Sequence, residues 1–250
     1  MRYVIKVAYD GTSYCGWQIQ KNGVTVQQTL SDAAYSAFNR KIIFTASGRT
    51  DSGVHALGQV CHADIDLNIP GEKLADALNV YLPADVRVMA SAVAPAGFDA
   101  NRSAKKKTYV YHMYASMRQN PLKDRYAVWI KGEADVEKMR EAAKLFIGEH
   151  DFKAYCSSGS QVLTTTRTVY SVEVVRLGED IAVSVCGGGF LYNMVRTIAG
   201  TLLYYSLGRI TLDDVARSID TGDRRLVGKT MPARGLVLEE VDYGTELFKQ

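Results

Sequence analysis

Apolar residues along this chain change their spacing from every second position to every third or fourth and back again, and they do so twice. That doubled rhythm limits the fold more than any other feature. Residues 2–9 alternate like a strand, and Tyr9-Asp10-Gly11-Thr12 is a turn signal. Thr25 is placed to cap a helix running to about Arg40, with Leu30, Ala33, Ala34, Ala37 and Phe38 on one face. Ile42-Ile43-Phe44-Thr45-Ala46 reads as a buried strand. Residues 58–67 read as another, with Cys61, Ala63, Ile65 and Leu67 sharing a face. A helix is expected over 72–82, entered at Pro70-Gly71 and stopped by Pro83, before Val86, Val88, Ala90 and Ala92 alternate in a further strand.

The second half repeats the pattern. Strands are expected over 107–115, 168–177 and 180–187. A helix from Asp135 puts Val136, Met139, Ala143 and Phe146 on one face and ends at Gly148. A long helix spans 190–207, Thr211 with Asp214 forms a capping box for a short one, and 235–243 make a last strand. Two rounds of strand, helix, strand and strand predict an α+β protein of two similar subdomains, 1–104 and 105–250, joined near residues 95–106. No Pro/Ser-rich linker separates them, so they are expected to pack tightly.

Composition excludes several classes. No apolar run approaches the roughly 20 residues a membrane helix needs, and the N-terminal Met1-Arg2-Tyr3-Val4 enters a strand pattern without a signal-peptide layout. A cytoplasmic protein is expected. The 4 cysteines form no close pair and the 4 histidines do not cluster with them, so no metal centre is expected. Net charge is only +3, but it is uneven. Arg102, Lys105, Lys106 and Lys107 precede Tyr109 and Tyr111, while Arg224, Arg225 and Lys229 form a second cluster. One basic run alone reads as a solvated loop. Two such runs in a chain with 15 tyrosines fit a phosphate-binding surface with base-stacking rings.

The least ordinary stretch is Ala46-Ser47-Gly48-Arg49-Thr50-Asp51-Ser52-Gly53-Val54-His55-Ala56. It lies between two apolar strands and holds an arginine and an aspartate between glycines, the layout of a functional loop on a rigid sheet. Asp-Ser-Gly is also a common turn, and a carboxylate bonded to its own backbone would satisfy the local pattern by itself.

From Gly48 to Ala56 the chain resembles the active-site loop of the tRNA pseudouridine synthase A family. Tyr9-Asp10-Gly11 followed by Tyr14-Cys15-Gly16-Trp17-Gln18 is similar to that family's opening signature. Gln27, Gln59-Val60, Asn79, Leu82-Pro83, Phe98, Ala100, Ser103-Ala104, Lys107 and Tyr109 fall in matching order. So do Phe190, Met194-Val195-Arg196, Ile198, Gly200, Gly235-Leu236, Leu238 and Val241-Asp242-Tyr243. The resemblance covers essentially the whole chain. It implies two ferredoxin-like (RNA-recognition-like) subdomains fused into one long, mainly antiparallel sheet, with helices packed on one side and a central basic cleft. It also implies a homodimer, and isomerisation of uridine to pseudouridine in the anticodon stem-loop of tRNA.

By the same resemblance Asp51 is the nucleophile, Arg196 its ion-pair partner, and Tyr109 the ring that stacks on a flipped-out uracil. Arg49 and Leu236 would contact the substrate, and Lys105, Lys106 and Lys107 its phosphates. His55 stays outside the catalytic set. Breaking the N1–C1′ bond and making C5–C1′ involves no net redox change or hydrolysis, so no cofactor is expected. A carboxylate suits the task because it traps an electrophilic sugar carbon, as in retaining glycosidases, or adds to the ring. An arginine suits the partner role because it never loses its charge.

The chain departs from the family around Phe98-Asp99-Ala100-Asn101, where His and Arg are usual and Arg102 follows one place late. That departure bears on the target uridines rather than the chemistry. Three alternatives stand beside the main reading: a paralogue that modifies a different RNA site, a non-catalytic RNA-binding module, and a small-glycoside hydrolase. The last would want a second carboxylate, and the loop supplies none.

Overall fold

The computed structural model describes residues 1–159 and 162–248. In chain order the elements are β1 (Arg2–Tyr9), α1 (Val26–Phe38), β2 (Thr45–Ala46), β3 (His55–Asp64), α2 (Lys73–Asn79), β4 (Val86–Val93), β5 (Lys106–Ser116), β6 (Val128–Lys131), α3 (Val136–Ala143), β7 (Gly148–Asp151), β8 (Thr166–Leu177), β9 (Asp180–Gly187), α4 (Met194–Ser206), α5 (Leu212–Thr221) and β10 (Leu236–Asp242). The fold is mixed α+β, and its strand pairings are mainly antiparallel, with β6 lying parallel to β5. Among the described residues no helix is long and apolar enough to cross a membrane.

The chain divides into two units. Met1–Lys106 and Leu238–Gln250 form the first, and Lys107–Val237 the second. From Leu238 onward the last strand therefore belongs with the beginning of the chain.

In the first unit β1 lies between β4 and β3, β2 pairs with β3, and β10 neighbours β3. β3 is buried at every position except Leu57 and Asp64. Gly58 is one reason the strands approach so closely: a Cβ there would lie 2.3 Å from the Glu239 carbonyl oxygen. α1 starts as read. Thr25 Oγ1 accepts from Gln28 N, Leu30, Ala33 and Ala34 are buried, and the helix closes on left-handed Asn39. α2 is shorter than expected, ending at Asn79, whose side chain bonds both the carbonyl and the amide of Val88.

One expected strand is largely absent. Within 42–46 only Thr45 and Ala46 pair, with His62 and Cys61. Ile42 and Phe44 are buried while Ile43 points to solvent, and the Phe44 carbonyl is taken by Gln27 Nε2. The segment packs two apolar side chains without offering its backbone to the sheet.

The second unit is built on β5-β9-β8-β7. Tyr109, Tyr111 and Met113 of β5 share a buried face with Ile181, Val183 and Val185 of β9. β6 and β7 are short and had no sequence signal. α4 begins at Met194 rather than 190, because Asn193 adopts φ 63 and interrupts helical geometry. α5 carries the expected capping box, Thr211 Oγ1 accepting from Asp214 N while Asp214 accepts from Thr211 N.

α4 is packed against the segment 228–231 at van der Waals limits. A Cβ on Gly200 would sit 1.9 Å from the Lys229 carbonyl oxygen, and one on Gly228 would sit 2.3 Å from the Gly200 carbonyl oxygen. Thr201 Oγ1 accepts from Gly228 N, and Met231 N donates to the Arg196 carbonyl. No side chain fits between helix and segment, so Gly200→Ala should destabilise the protein by roughly 2–4 kcal/mol in urea denaturation. A melting curve indistinguishable from wild type would show that the segment moves aside at little cost.

Candidate active site

The Asp51 loop begins where β2 ends and finishes where β3 starts. Residues 9–17 of the same unit wrap around it. Gly16, at φ +87, has room for no side chain, since a Cβ would lie 2.7 Å from the Thr50 carbonyl oxygen and 3.1 Å from the Asp51 carbonyl carbon. At Gly11 a Cβ would lie 2.0 Å from the Val54 carbonyl oxygen. Main chain therefore rests on main chain on both sides of Asp51. Hydrogen bonds complete the bracket. Trp17 N donates to Thr50 O (3.0 Å), Ser52 Oγ and Gly53 N donate to Tyr14 O, and Val54 N donates to Asp51 O (3.1 Å).

Beneath the loop lies a buried polar network. Ser47 Oγ donates to Gln59 Oε1 (2.8 Å), Gln59 Nε2 donates to Gly48 O (3.0 Å), and the hydroxyls of Tyr9 and Thr50 share a hydrogen bond at 2.8 Å. Gln59 is fully buried, so each of these groups has exchanged water for a protein partner. Burial pushes the Tyr9 hydroxyl up to about 12, against the lowering effect of Thr50 and Gln59. His55 opens β3 with its Nδ1 3.0 Å from the donating Gly11 amide and 3.1 Å from Asp10 Oδ1. It tethers the turn at residues 11–13 to the loop's end. Asp51 itself is half-buried and Arg49 is exposed.

The stretch where the chain departs from the family is used structurally. Asp99 Oδ1 accepts the amides of Asn101 and Arg102, both at 2.9 Å, and these backbone hydrogen bonds hold its carboxyl below the usual range. Asn101 Nδ2 donates to the Ser47 carbonyl, directly before the Asp51 loop. Arg102 is exposed. Of the three lysines, Lys105 and Lys106 are exposed, and Lys106 pairs with Asp242 at 3.3 Å. Lys107 is half-buried on β5, and burial lowers the pKa of its ammonium.

In the second unit Tyr109 is buried and meets the Phe190 ring edge-on at 5.3 Å. Arg196 stands in the first turn of α4, half-buried, with Nε donating to Met231 O (2.7 Å) and Nη1 to Asn193 Oδ1. The Tyr111 hydroxyl donates to the adjoining Pro232 carbonyl (2.7 Å), and its pKa is raised by burial, against the charges of Arg196 and Arg234. A Cβ at Gly235 would lie 2.8 Å from the Tyr111 ring, and buried Leu236 follows it. Arg196, Tyr111, the 231–235 segment and Leu236 thus form one neighbourhood. Two of the three residues of the second basic cluster are engaged within the unit. Arg224 donates to Ala154 O and Thr230 Oγ1, both at 2.7 Å, and Arg225 pairs with Asp223 at 2.7 Å.

Sequence reading passed over the supports: Tyr9, Gly11, Gly16, Thr50 and Gln59 around Asp51, and Asn193 and Tyr111 around Arg196. Several stood inside matched motifs, but their roles are long-range contacts with no local signature. Asn193 fell inside the helix expected over 190–207; its residue type, one that tolerates left-handed backbone, was the one hint that the helix starts after it. Among the described residues no group of three or more His, Cys, Asp or Glu could hold a metal ion.

The chain matches the family described as tRNA pseudouridine synthase over residues 5–101 and 142–244. It is 42% identical over 240 residues to tRNA pseudouridine synthase A of Ruminiclostridium cellulolyticum, covering 96% of this chain and 98% of that one. It is 41% identical over 245 residues to tRNA pseudouridine synthase A of Bacillus subtilis, covering 97% and 99%. Among solved structures, the crystal structure of a Cbf5-Nop10-Gar1 complex overlaps with a TM-score of 0.42 at 15% identity, over 95% of this chain and 49% of that one. That overlap is too loose to bear on the assignment.

Replacing Gln59 by leucine keeps the volume and removes both hydrogen-bonding ends, taking an acceptor from Ser47 Oγ and a donor from Gly48 O. The expected cost is about 2 kcal/mol in denaturant unfolding, with faster hydrogen exchange at the amides of residues 49–53. Unchanged exchange there would mean that the glycine contacts alone hold the loop.

Proposed function

Because the chain belongs to the tRNA pseudouridine synthase family, a family of isomerases, we propose that it converts uridine to pseudouridine in the anticodon stem-loop of tRNA with Asp51 as nucleophile. The observation that carries this reading is the framework around Asp51: two glycines in main-chain contact and a fully buried Gln59, all holding one half-buried carboxylate. A merely structural turn needs no such support.

In this reading the target nucleotide leaves the helical stack, at a cost of a few kcal/mol, and its uracil stacks on Tyr109 and packs against Leu236. The Asp51 carboxylate then attacks C1′ or adds to C6. The N1–C1′ bond breaks, the ring turns, the C5–C1′ bond forms, the bond to the Asp51 carboxylate is released, and C5 loses a proton while N1 gains one. Arg196 pairs with Asp51 and keeps it ionised in a dry site. Arg49 contacts the RNA backbone or fills the place the base vacates, and Lys105, Lys106 and Lys107 contact phosphates in a salt-dependent way. In this reading the two subdomains are ferredoxin-like and the protein is a cytoplasmic homodimer. The reaction as drawn uses no cofactor.

A second reading keeps the chemistry and changes the address. Asp99 and Asn101 stand where the family is usually basic, and both are committed to backbone contacts. An enzyme gripping RNA without those charges would choose a different uridine.

The test is tritium release from tRNA labelled at C5 of its uridines. Wild type should release tritium without added metal. Asp51→Asn should lose activity roughly 10³-fold or more while still binding tRNA in a filter assay. Equal release by both would remove Asp51 from its role, and tight binding without release by either would favour an RNA-binding module.

A further inference from the structure

Arg196 is held from two sides. Met231 is tied to it twice, its amide donating to the Arg196 carbonyl at 3.2 Å and its carbonyl accepting from Nε at 2.7 Å. The other support is Asn193 Oδ1, which accepts from Nη1. A guanidinium only donates, so the oxygen of the Asn193 amide must be the end that faces it. The nitrogen end donates to Ser157 Oγ at 2.9 Å, and Ser157 N donates to the Tyr192 carbonyl at 3.1 Å. Both ends of the amide are thereby committed.

The backbone of Asn193 is unusual as well. Its φ of 63 is one of two positive values among the described non-glycine residues, and both belong to asparagine. The left-handed turn at this position begins α4 directly beneath the guanidinium. Arginine reaches its partners through several rotatable bonds. Fixing Nε and Nη1 fixes the plane of the group and the direction of its remaining N–H edge.

We propose that Asn193 is a positioning residue for the isomerisation, setting the guanidinium of Arg196 in the orientation the reaction needs. This rests on the role given to Arg196 above. Asn193 touches neither the substrate nor the nucleophile in this scheme and acts through the arginine.

Asn193→Gly permits the same φ and removes the amide, whereas Asn193→Asp keeps an oxygen acceptor and tolerates the left-handed turn. In the tritium-release assay Asn193→Gly should lower kcat about tenfold, the worth of one charge-assisted hydrogen bond, with KM for tRNA unchanged. Asn193→Asp should return kcat to within about threefold of wild type. In an Arg196→Lys background, where the fork is gone, Asn193→Gly should slow the enzyme no further. Wild-type kcat in Asn193→Gly, a loss confined to KM, failure of aspartate to rescue, or a full additional tenfold in the lysine background would each overturn the proposal. Arg196→Lys turning over as fast as wild type would instead overturn the reading of Arg196 and this inference with it. Should Asn193→Gly melt below the assay temperature, Ser157→Ala decides. That variant keeps Asn193 and its backbone but releases its nitrogen end. A fall in kcat alone supports the proposal and an unchanged kcat overturns it.

Discussion

Main chain lying directly on main chain is the contact on which the Asp51 loop depends. Side chains yield by rotating; peptide groups in van der Waals contact do not. With Gly11 against Val54 and Gly16 against Thr50 and Asp51, the loop has neighbours that move only if the strand and turn carrying them move. The hydrogen bonds from Trp17, Ser52 and Gly53 then fix register rather than supply the bulk of the rigidity. The role proposed for Asp51 would benefit from such a mounting, because reorganisation that does not occur during a reaction adds nothing to its barrier.

The second unit uses the same device for a different purpose. Gly200 and Gly228 let the 228–231 segment lie against α4, and that closeness brings the Met231 carbonyl to Arg196 Nε. The helix alone would leave the arginine with a choice of rotamers. The segment and Asn193 together remove the choice, one through a carbonyl that cannot turn away and the other through an amide pinned at both ends. Arg224 strengthens this frame by joining Ala154 to Thr230, so a residue that looks like part of a basic surface serves as an internal strut.

How much of this was legible in the sequence follows from the range of each interaction. Thr25 and the Thr211–Asp214 pair were readable because a cap needs only residues three apart. The strand expected at 42–46 failed because periodicity registers burial and not pairing: Ile42 and Phe44 are buried, but the backbone does not join the sheet beyond Thr45 and Ala46. The early start of the 190–207 helix failed because one left-handed residue outweighs a favourable apolar pattern. Asp51, Arg196 and Tyr109 drew notice through family resemblance, not through any local necessity. What surrounds them was hidden, since Gly11 and Gly16 matter for atoms 34 to 44 residues away and Gln59 for a network spanning Tyr9 to Gln59.

The return of β10 to the first unit has a consequence for the birth of the protein. β3, whose first residue closes the Asp51 loop, has β10 as a neighbour, so its flank is finished by residues 236–242. During synthesis those residues emerge from the ribosome long after the loop itself. Until then β3 presents an unpaired ladder of N–H and C=O groups, the kind of edge that recruits foreign strands. The closing contact spans most of the chain and is slow to find by diffusion. The Asp51 loop and the residues 9–17 that bracket it are thus made early, while the far flank of β3 stays uncovered until the residues between Asp64 and Leu236 have followed.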